Sequence, residues 1–583
     1  MTEVYRRDSL RSRLEYEPVE LTFGTSGRRG EVIHLTQLEI YINALAELEY
    51  LQSLPLTEGG IARGDRFYLA CDLRPSSSAY VPDQGGRGEI AQAVVRAMRD
   101  AGMEPVNLGR IPTPAMTCYA LSRGKGSIMV TGSHIPFDRN GYKVNTSRGE
   151  LRKRDEAPIN DRVRRIRELL YDQPYRQSLF NAQGLFKAGH QELPSETMEA
   201  GTAYIERYTG FFRGRSLKGM RLLCYQHSAV GRDLLVEILG QLGAEVIPGG
   251  RSDMFVPIDT ENIDEAQMAS IQALADQARA EHGRLDAVVS TDGDSDRPLI
   301  LAVNPGNGRV RFFGGDLMGM IAAEFLKPDA VVVPISCNDA IDRGNLRGML
   351  EAKTRIGSPY VIEGMERARR KGRRAVCGWE ANGGFMTGSD FESGGNILAA
   401  LPTRDAVLPI LCVLLTGQET GQTIAGLFTR LPKRFSRAAL LRQFPRSRAR
   451  KMTRYFSPSD VSVKQVSFEE DRLSLSDENG HEMPAADAHF EEMNEIRSRL
   501  GNVFPAELGF PGIVRVNYVD GIRITFRNGD VAHIRPSGNA DELRIYAVAD
   551  TQARADEIGR IGIAEPDGIL RRMEKAAICD EGQ

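Results

Sequence analysis

A short apolar strand, a polar loop, an amphipathic helix, a glycine and a second strand recur in that order along this chain. No other feature restricts the fold as much. The first instance runs through Arg66–Cys71, Asp72–Ser78, Glu89–Ala101, Gly102 and Glu104–Leu108. The second runs through Met220–Tyr225, Gln226–Ser228, Gly231–Leu242 and Gly243–Ile247, and a third begins at Ala330–Ile335. Strands alternating with helices predict layered α/β units with parallel pairing. In such sheets ligand-binding groups gather in loops beyond the carboxyl ends of the strands. Two polar loops fall there: Ser127–Thr131 leads into Ser133, and Leu285–Ser290 leads into Asp292.

The loop Asp292-Gly-Asp-Ser-Asp-Arg297 carries carboxylates at alternate positions, Asp292, Asp294 and Asp296. In a tight turn that spacing can aim several oxygens at one hard cation. An EF-hand is excluded, because its sixth position needs Gly and its twelfth Glu, and here these are Arg297 and Val303. Three carboxylates with one further oxygen suit Mg²⁺, which keeps its own waters and favours phosphate ligands. A solvated acidic turn is the plain alternative for such a loop; the apolar strand before it and Arg297 beside it favour the metal.

Ser133 lies in Thr131-Gly-Ser-His-Ile-Pro136, with His134 beside it and Lys143 downstream. A serine hydroxyl is a weak nucleophile until a base or metal activates it, and His134 and Lys143 are the candidate helpers. No G-x-S-x-G elbow is present, so a hydrolase triad is not indicated. Arg535-Pro-Ser537-Gly538-Asn539, followed by Arg544, offers guanidinium groups, a hydroxyl and backbone N–H groups for an anion. Gly378-Trp-Glu380-Ala-Asn382-Gly-Gly384 holds the only tryptophan, and its Glu380 and Asn382 suit vicinal hydroxyls. Phe23–Gly30 is glycine-rich without P-loop or dinucleotide spacing, and it offers Arg28 or Arg29 to a phosphate. In isolation Ser133 also reads as a turn cap, and the Arg535 and Gly378 segments as ordinary turns.

Composition excludes several partners. With 75 Lys and Arg against 78 Asp and Glu the net charge is −3, so no overall field draws the chain to nucleic acid or membrane. Nine basic residues fall between Lys433 and Arg454, a cluster read as a solvated helix face. Seven scattered cysteines with no CxxC indicate neither a disulfide framework nor a zinc site, and a cytoplasmic location is expected. Met1–Glu20 lacks the apolar core of a secretory signal, and the apolar run Ala406–Leu415 is too short to span a bilayer and reads as a buried helix. Polar stretches at 172–196 and 431–436 are candidate linkers. Strand-like alternation over Val461–Leu475 sets the C-terminal part apart as an α+β region.

Taken in order, the segments Phe23–Gly30, Thr131–Lys143, Asp292–Arg297, Gly378–Gly384 and Asp520–Tyr546 resemble the α-D-phosphohexomutase superfamily, which includes phosphomannomutases and phosphoglucomutases. The resemblance spans nearly the whole chain. It implies an α/β fold of four domains around a central cleft, three related α/β domains and a C-terminal α+β domain. The expected division is 1–197 with the serine loop, 198–305 with the metal loop, 306–432 with the sugar loop and 433–583 with the phosphate loop. Ser133 would carry a phosphoryl group, and one Mg²⁺ would sit on Ser133, Asp292, Asp294 and Asp296. Arg29, Lys143 and Arg297, with His134 nearby, would surround the reacting phosphoryl group. Glu380, Asn382 and Ser358 would meet the sugar, and Arg535, Ser537, Gly538, Asn539 and Arg544 would hold the second phosphate. The chain has Ile135 where many relatives have Asn, and Ser537-Gly-Asn-Ala-Asp541 where Ser-Gly-Thr-Glu-Pro is usual.

The expected activity is transfer of phosphate between the 6 and 1 positions of a hexose, mannose or glucose, with a hexose 1,6-bisphosphate as intermediate and activator. The substrate is then a small sugar phosphate, with neither nucleic acid nor membrane as partner, and the protein a monomer or homodimer. Glu380-Ala-Asn-Gly383 is similar to the loop of N-acetylglucosamine-phosphate mutases. A phosphoglucosamine or phospho-N-acetylglucosamine mutase is therefore the first alternative. A non-catalytic sugar-phosphate-binding protein is the second.

Overall fold

The strands that approach the acidic and serine loops are apolar along their whole length. Ser127–Val130, Ala287–Thr291 and Pro298–Val303 are buried at every position. Such runs, unlike alternating ones, belong to sheets covered on both faces. In a computed structural model, residues 8–261, 263–469, 472–485, 487–536 and 541–579 are described. They form two compact units, residues up to 327 with 377–428, and 328–376 with residues from 429 on. The stretch 306–432 contributes to both.

In the first unit, strands β1 (Arg28–Glu31), β2 (Arg66–Cys71), β3 (Glu104–Asn107), β4 (Ser127–Val130) and β5 (Arg139–Thr146) form a sheet in the order β1–β5–β4–β2–β3, with Gly149–Glu150 added at β5. β2 runs parallel to β3 and β4, whereas β5 returns antiparallel to β4. Helices Gln37–Ser53 and Ile90–Asp100 bury their apolar residues in one core with β2, β4 and β5. Thr36 caps the first of these helices by accepting from the Glu39 N–H at 3.1 Å.

A second sheet in the same unit is built from β6 (Arg221–His227), β7 (Glu245–Arg251), β8 (Ala287–Thr291), β9 (Pro298–Val303) and β10 (Val310–Phe312), ordered β7–β6–β8–β9–β10. β6 is parallel to both β7 and β8. The two predicted strand–loop–helix–strand instances are thus present, with helices Ile90–Asp100 and Arg232–Gln241 between their strands. A third group, β11 (Val376–Trp379), β12 (Phe385–Thr387) and β13 (Leu401–Asp405), pairs antiparallel. The apolar run after it is the buried helix Val407–Thr420.

The second unit contains an eight-stranded sheet whose order runs Phe435–Arg442, Glu542–Ala549, Val531–Pro536, Ile522–Phe526, Ile513–Asn517, Gln465–Phe468, Leu473–Ser476 and Glu482–Met483. Its core is filled by alternate residues such as Ile522, Ile524 and Phe526, packed with helices Asp487–Val503 and Ile569–Cys579. Strand Ala330–Val332 and helix Ser358–Arg370 also belong to this unit.

Neither expected linker is loose. Within 172–196, Phe180 and Phe186 are buried and stacked at 5.1 Å, and the N–H of Leu10 donates to the Gln173 carbonyl. The segment reads as polar because its few apolar side chains are spent on this packing. At 431–436, Arg434 is fully buried and forks onto Asp339 at 2.6 and 2.9 Å. The rest of the basic cluster, after Lys433 and Arg434, is divided between strand Phe435–Arg442 and helix Arg446–Tyr455, whose basic side chains at 446, 448, 450 and 454 are exposed.

Candidate active site

The parallel register aligns Cys71 of β2 with Val130 of β4, so the loops Asp72–Arg74 and Thr131–Ser133 leave the sheet side by side. β6 and β8 bring His227 and Thr291 to the same end of the second sheet, and Asp292 follows Thr291. The serine loop and the acidic loop meet: Ser133 Oγ donates to Asp292 Oδ2 at 2.7 Å. Both loops need a glycine at the contact. A side chain on Gly293 would place Cβ 2.6 Å from the Ser133 carbonyl oxygen, and one on Gly132 would place it 2.3 Å from Arg74 Nε. Ser133 and Ser295 occupy the left-handed region, with φ of +54° and +57°, a conformation that L-residues other than glycine adopt only when held.

Asp292 has both oxygens committed to protein donors, whereas Asp294 and Asp296 each have one. Asp292 Oδ1 accepts the backbone N–H groups of Asp296 and Arg297, both at 3.1 Å. Asp294 Oδ2 accepts from Thr113 Oγ1 at 2.8 Å and Lys143 Nζ at 2.6 Å. Asp296 Oδ2 accepts from Lys143 Nζ at 2.7 Å and from Arg404 Nε and Nη2 at 3.0 and 2.9 Å. The remaining oxygens, Asp294 Oδ1 and Asp296 Oδ1, are buried with no hydrogen-bond partner. One ligand oxygen from each of the three aspartates falls within 4.8 Å of the others. Buried acceptors left without donors are costly, and a hard divalent cation satisfies them. The residues present therefore fit a metal ion.

Electrostatics agree with that fit. Burial, then the neighbouring Asp294 and Asp296, push the Asp292 carboxyl well above the usual range. Burial also opposes ionisation of Asp294, but Lys143 and Thr113 outweigh it and hold that carboxyl below the usual range. The cluster thus shares its protons unevenly, and a divalent cation removes the like-charge penalty. Arg29 is brought down to about 10, chiefly by burial, with Arg297 and Arg404 adding repulsion; it remains a cation at neutral pH. Burial, then Arg297 and Arg29, hold the His134 imidazole well below 6.5, so it is neutral.

The structure gathers Ser133, His134, Lys143, Arg29, Asp292, Asp294, Asp296 and Arg297 at one place. His134 Nδ1 lies 3.4 Å from Ser133 Oγ, the long side of a hydrogen bond, whereas Asp292 accepts at 2.7 Å. Arg297 Nε stands 3.7 Å from Asp296 Oδ1. Glu380 joins through Arg404, whose Nη1 donates to Glu380 Oε2 at 3.0 Å. Asn382 is buried in the same turn, its Oδ1 accepting from the Gly384 N–H at 2.9 Å and its carbonyl from Thr260 Oγ1 at 2.8 Å.

The other expected ligands lie in the second unit. Ser358 opens the helix Ser358–Arg370 and is buried. Arg535 and Arg544 are cross-strand partners. Arg535 Nε donates to Asp520 Oδ1 at 3.0 Å, and Arg544 Nη2 to Glu542 Oε2 at 3.1 Å. Ser537, Gly538 and Asn539 lie outside the described residues.

Arg404, Thr113, Asp72 and Arg74 are absent from the sequence-based expectations. For Asp72 and Arg74 a signal existed: they follow β2 at its carboxyl end, where the strand-end rule already placed Ser133 and Asp292. For Arg404 the signal is three polar residues, Thr403-Arg-Asp405, immediately before the apolar run that forms helix Val407–Thr420.

Comparison with known proteins agrees with this geometry. Residues 20–169, 314–435 and 479–560 match phosphoglucomutase/phosphomannomutase alpha/beta/alpha domain I, alpha/beta/alpha domain III and C-terminal domain, respectively. A protein named phosphomannomutase from Sinorhizobium fredii (strain NBRC 101917 / NGR234) is 36% identical over 542 residues, 93% of this chain and 98% of that protein. The chain belongs to the phosphoglucomutase/phosphomannomutase family. It is a sugar-phosphate mutase, an isomerase of the phosphohexomutase kind. A second relative named phosphomannomutase, from Salmonella muenchen, is 35% identical over 543 residues, 92% of this chain and 94% of its own length. A solved structure of a phosphoglucomutase/phosphomannomutase family protein from Burkholderia thailandensis shares the fold at 17% identity. Its TM-score is 0.59, covering 95% of this chain and 97% of that one. Among the described residues no helix is long and apolar enough to cross a membrane.

Proposed function

We propose that this phosphohexomutase interconverts the 6- and 1-phosphates of mannose, with Ser133 as the phosphoryl carrier. The observation that carries this reading is the 2.7 Å contact of Ser133 Oγ with Asp292 Oδ2, beside two buried carboxylate oxygens left without donors. Mannose is favoured by the two relatives named phosphomannomutase, which the chain matches over 98% and 94% of their length.

In the forward half-reaction the P–Oγ bond of phosphorylated Ser133 breaks as a bond forms between phosphorus and the free sugar hydroxyl. The reverse exchange at the other end of the bisphosphate returns a phosphoryl group to Ser133. Over the cycle, the proton of the accepting hydroxyl ends on the oxygen that loses its phosphate. Lys143, Arg29 and Arg297 supply the positive charge that such a transfer needs, since phosphoryl transfer depends mainly on positioning and charge neutralisation. The neutral His134 lies within reach of Ser133 Oγ to relay a proton. Asp292, Asp294 and Asp296 would hold Mg²⁺, whose chemistry is Lewis-acid neutralisation of the transferring group. Glu380, with one oxygen tied to Arg404, offers the other to vicinal sugar hydroxyls. Asn382 is the second sugar contact of that loop, and the family resemblance assigns Ser358 to the sugar and Arg535, Ser537, Gly538, Asn539 and Arg544 to the idle phosphate.

The sugar loop Glu380-Ala-Asn-Gly383 supports a second reading, an aminosugar phosphate as substrate. A coupled assay with the 1-phosphates of mannose, glucose, glucosamine and N-acetylglucosamine, each with a trace of hexose bisphosphate, decides between them. Highest kcat/KM on mannose 1-phosphate is expected; highest kcat/KM on glucosamine 1-phosphate or N-acetylglucosamine 1-phosphate would overturn the mannose assignment.

A further inference from the structure

Ser133 does not hold its own conformation. Its φ of +54° is left-handed, and its side chain, unlike that of glycine, carries the Cβ that disfavours that region. The Gly132 N–H and the Ser133 carbonyl are nevertheless bound by two buried residues of the neighbouring loop, and the Ser133 N–H is tied to one of them through Thr131. Asp72 Oδ2 accepts from Thr131 Oγ1 at 2.9 Å and from the Gly132 N–H at 3.1 Å. Thr131 Oγ1 in turn accepts the Ser133 N–H at 2.7 Å. Arg74 Nη2 donates to the carbonyls of Ser133 at 2.9 Å and Ile135 at 2.6 Å.

These two residues are themselves fixed. Asp72 Oδ1 accepts the Arg74 N–H at 3.0 Å and Ser77 Oγ at 2.7 Å. The Arg74 guanidinium lies 3.6 Å over the ring of Phe255, which also crowds Gly293 of the acidic loop. Asp72 and Arg74 are each 1% exposed. Neither has a hydrogen bond to Ser133 Oγ among the contacts described, so whatever they do for the reaction is done through backbone.

We propose that Asp72 and Arg74 are positioning residues that clamp the Thr131–Ile135 loop so that Ser133 Oγ points at Asp292. The inference rests on the reading of Ser133 as phosphoryl carrier. Arg74 reaches both carbonyls through the single nitrogen Nη2, at the tip of a planar guanidinium stacked on Phe255; a lysine ammonium sits one bond nearer the backbone and lacks that stacking plane. Arg74→Lys keeps the charge but, with its shorter reach, frees one end of the loop. An ångström of misplacement at a reacting atom costs on the order of 10²-fold in rate.

The test uses full-length protein, dephosphorylated, mixed with glucose 1,6-bisphosphate and quenched for intact-mass measurement of phosphate on Ser133. Arg74→Lys should load Ser133 on the order of 10²-fold more slowly than wild type. Its KM for sugar phosphate and its Mg²⁺ affinity by calorimetry should stay within about twofold, because the acidic loop is untouched. Asp72→Asn, which keeps the shape but weakens the bond to Gly132 N, should show the same slowing to a smaller degree and serves if Arg74→Lys does not fold. Folded variants that load Ser133 at the wild-type rate overturn the clamp while leaving the carrier reading intact. Equal losses in loading, KM and Mg²⁺ affinity also overturn it, since they mark general damage. A wild-type protein that never takes phosphate sinks the carrier reading and the clamp with it.

Discussion

Arg404 grips Asp296 through two nitrogens at once, Nε at 3.0 Å and Nη2 at 2.9 Å from the same Oδ2. Its third nitrogen reaches Glu380 at 3.0 Å. One buried guanidinium therefore joins a carboxylate of the acidic loop to the carboxylate of the tryptophan loop. Its strand, β13, is anchored next door, where Asp405 accepts from Tyr204 Oη at 2.7 Å and also from Tyr208.

Removing one partner of such a pair leaves the other charge buried and uncompensated. Arg404→Leu should destabilise the first unit by about 3–5 kcal/mol, read from denaturant unfolding. It should also lower kcat/KM by at least about 10²-fold, since Asp296 and Glu380 both lose their orientation. Arg404→Lys keeps the charge without the fork and should recover stability more fully than activity. Wild-type kcat/KM in a folded Arg404→Leu protein would show that the bridge is idle in turnover.

Ser133→Ala removes the hydroxyl and its bond to Asp292 while leaving the backbone bonds through Thr131 and Arg74 in place. Stability should fall by about 1–3 kcal/mol, because the buried Asp292 Oδ2 loses its donor. Turnover should vanish, because no other hydroxyl in the loop can carry the phosphoryl group. Mass spectrometry after incubation with a hexose bisphosphate should find phosphate on wild type and none on the variant. Retained mutase activity in Ser133→Ala would remove Ser133 from the mechanism.

How much of this was legible in the sequence depends on how local each pattern is. Asp292, Asp294 and Asp296 sit in one tight turn after an apolar strand, so spacing alone reveals them. Ser133 and Lys143 share one hairpin, β4 and β5, and are found together for the same reason. Arg404 meets Asp296 across more than a hundred residues, and Arg74 meets Ser133 across 59. The strand-end position of Arg74 and the polar run Thr403–Asp405 mark the two arginines, but separations this long leave no trace of which residue each one meets. The strands were legible because full burial makes them uniformly apolar. The segment 172–196 misled because polar composition resembles a linker, while its two phenylalanines, Phe180 and Phe186, pin it to the core. His134 looked like a base from adjacency alone, and the geometry gives the shorter bond to Asp292.

Two buried histidines set a pH dependence of stability. His227 Nε2 donates to the Thr291 carbonyl at 2.8 Å and His533 Nε2 to the Asp520 carbonyl at 2.6 Å. Burial lowers each from 6.5 to about 4, so both stay neutral in the folded protein while the unfolded chain protonates below 6.5. Stability is then full above about pH 6.5 and falls as pH drops from 6.5 towards 4, by up to about 3 kcal/mol per histidine. Urea midpoints at pH 7.5 and pH 5 should differ accordingly. His533→Gln, which keeps a donor without a titrating ring, should flatten the part of the curve reported by the second unit, and an unchanged slope would assign the dependence elsewhere.

The acidic loop makes the most direct prediction about the metal. Asp294 has one oxygen held by Thr113 and Lys143 and the other buried without a donor. Asp294→Asn would turn one of these oxygens into an amide, so either the Lys143 contact or the cation loses its carboxylate. Mg²⁺ should therefore bind at least about tenfold more weakly by calorimetry, a loss near 1.4 kcal/mol, and activity should need correspondingly more metal. EDTA should abolish wild-type turnover, and added Mg²⁺ should restore it. Asp286, buried only in part and engaged with the Arg221 N–H at 2.8 Å, is the control: Asp286→Asn should leave the metal titration unchanged. A metal titration unaltered by Asp294→Asn would place the cation outside the Asp292–Asp296 loop, and with it the charge that Ser133 needs.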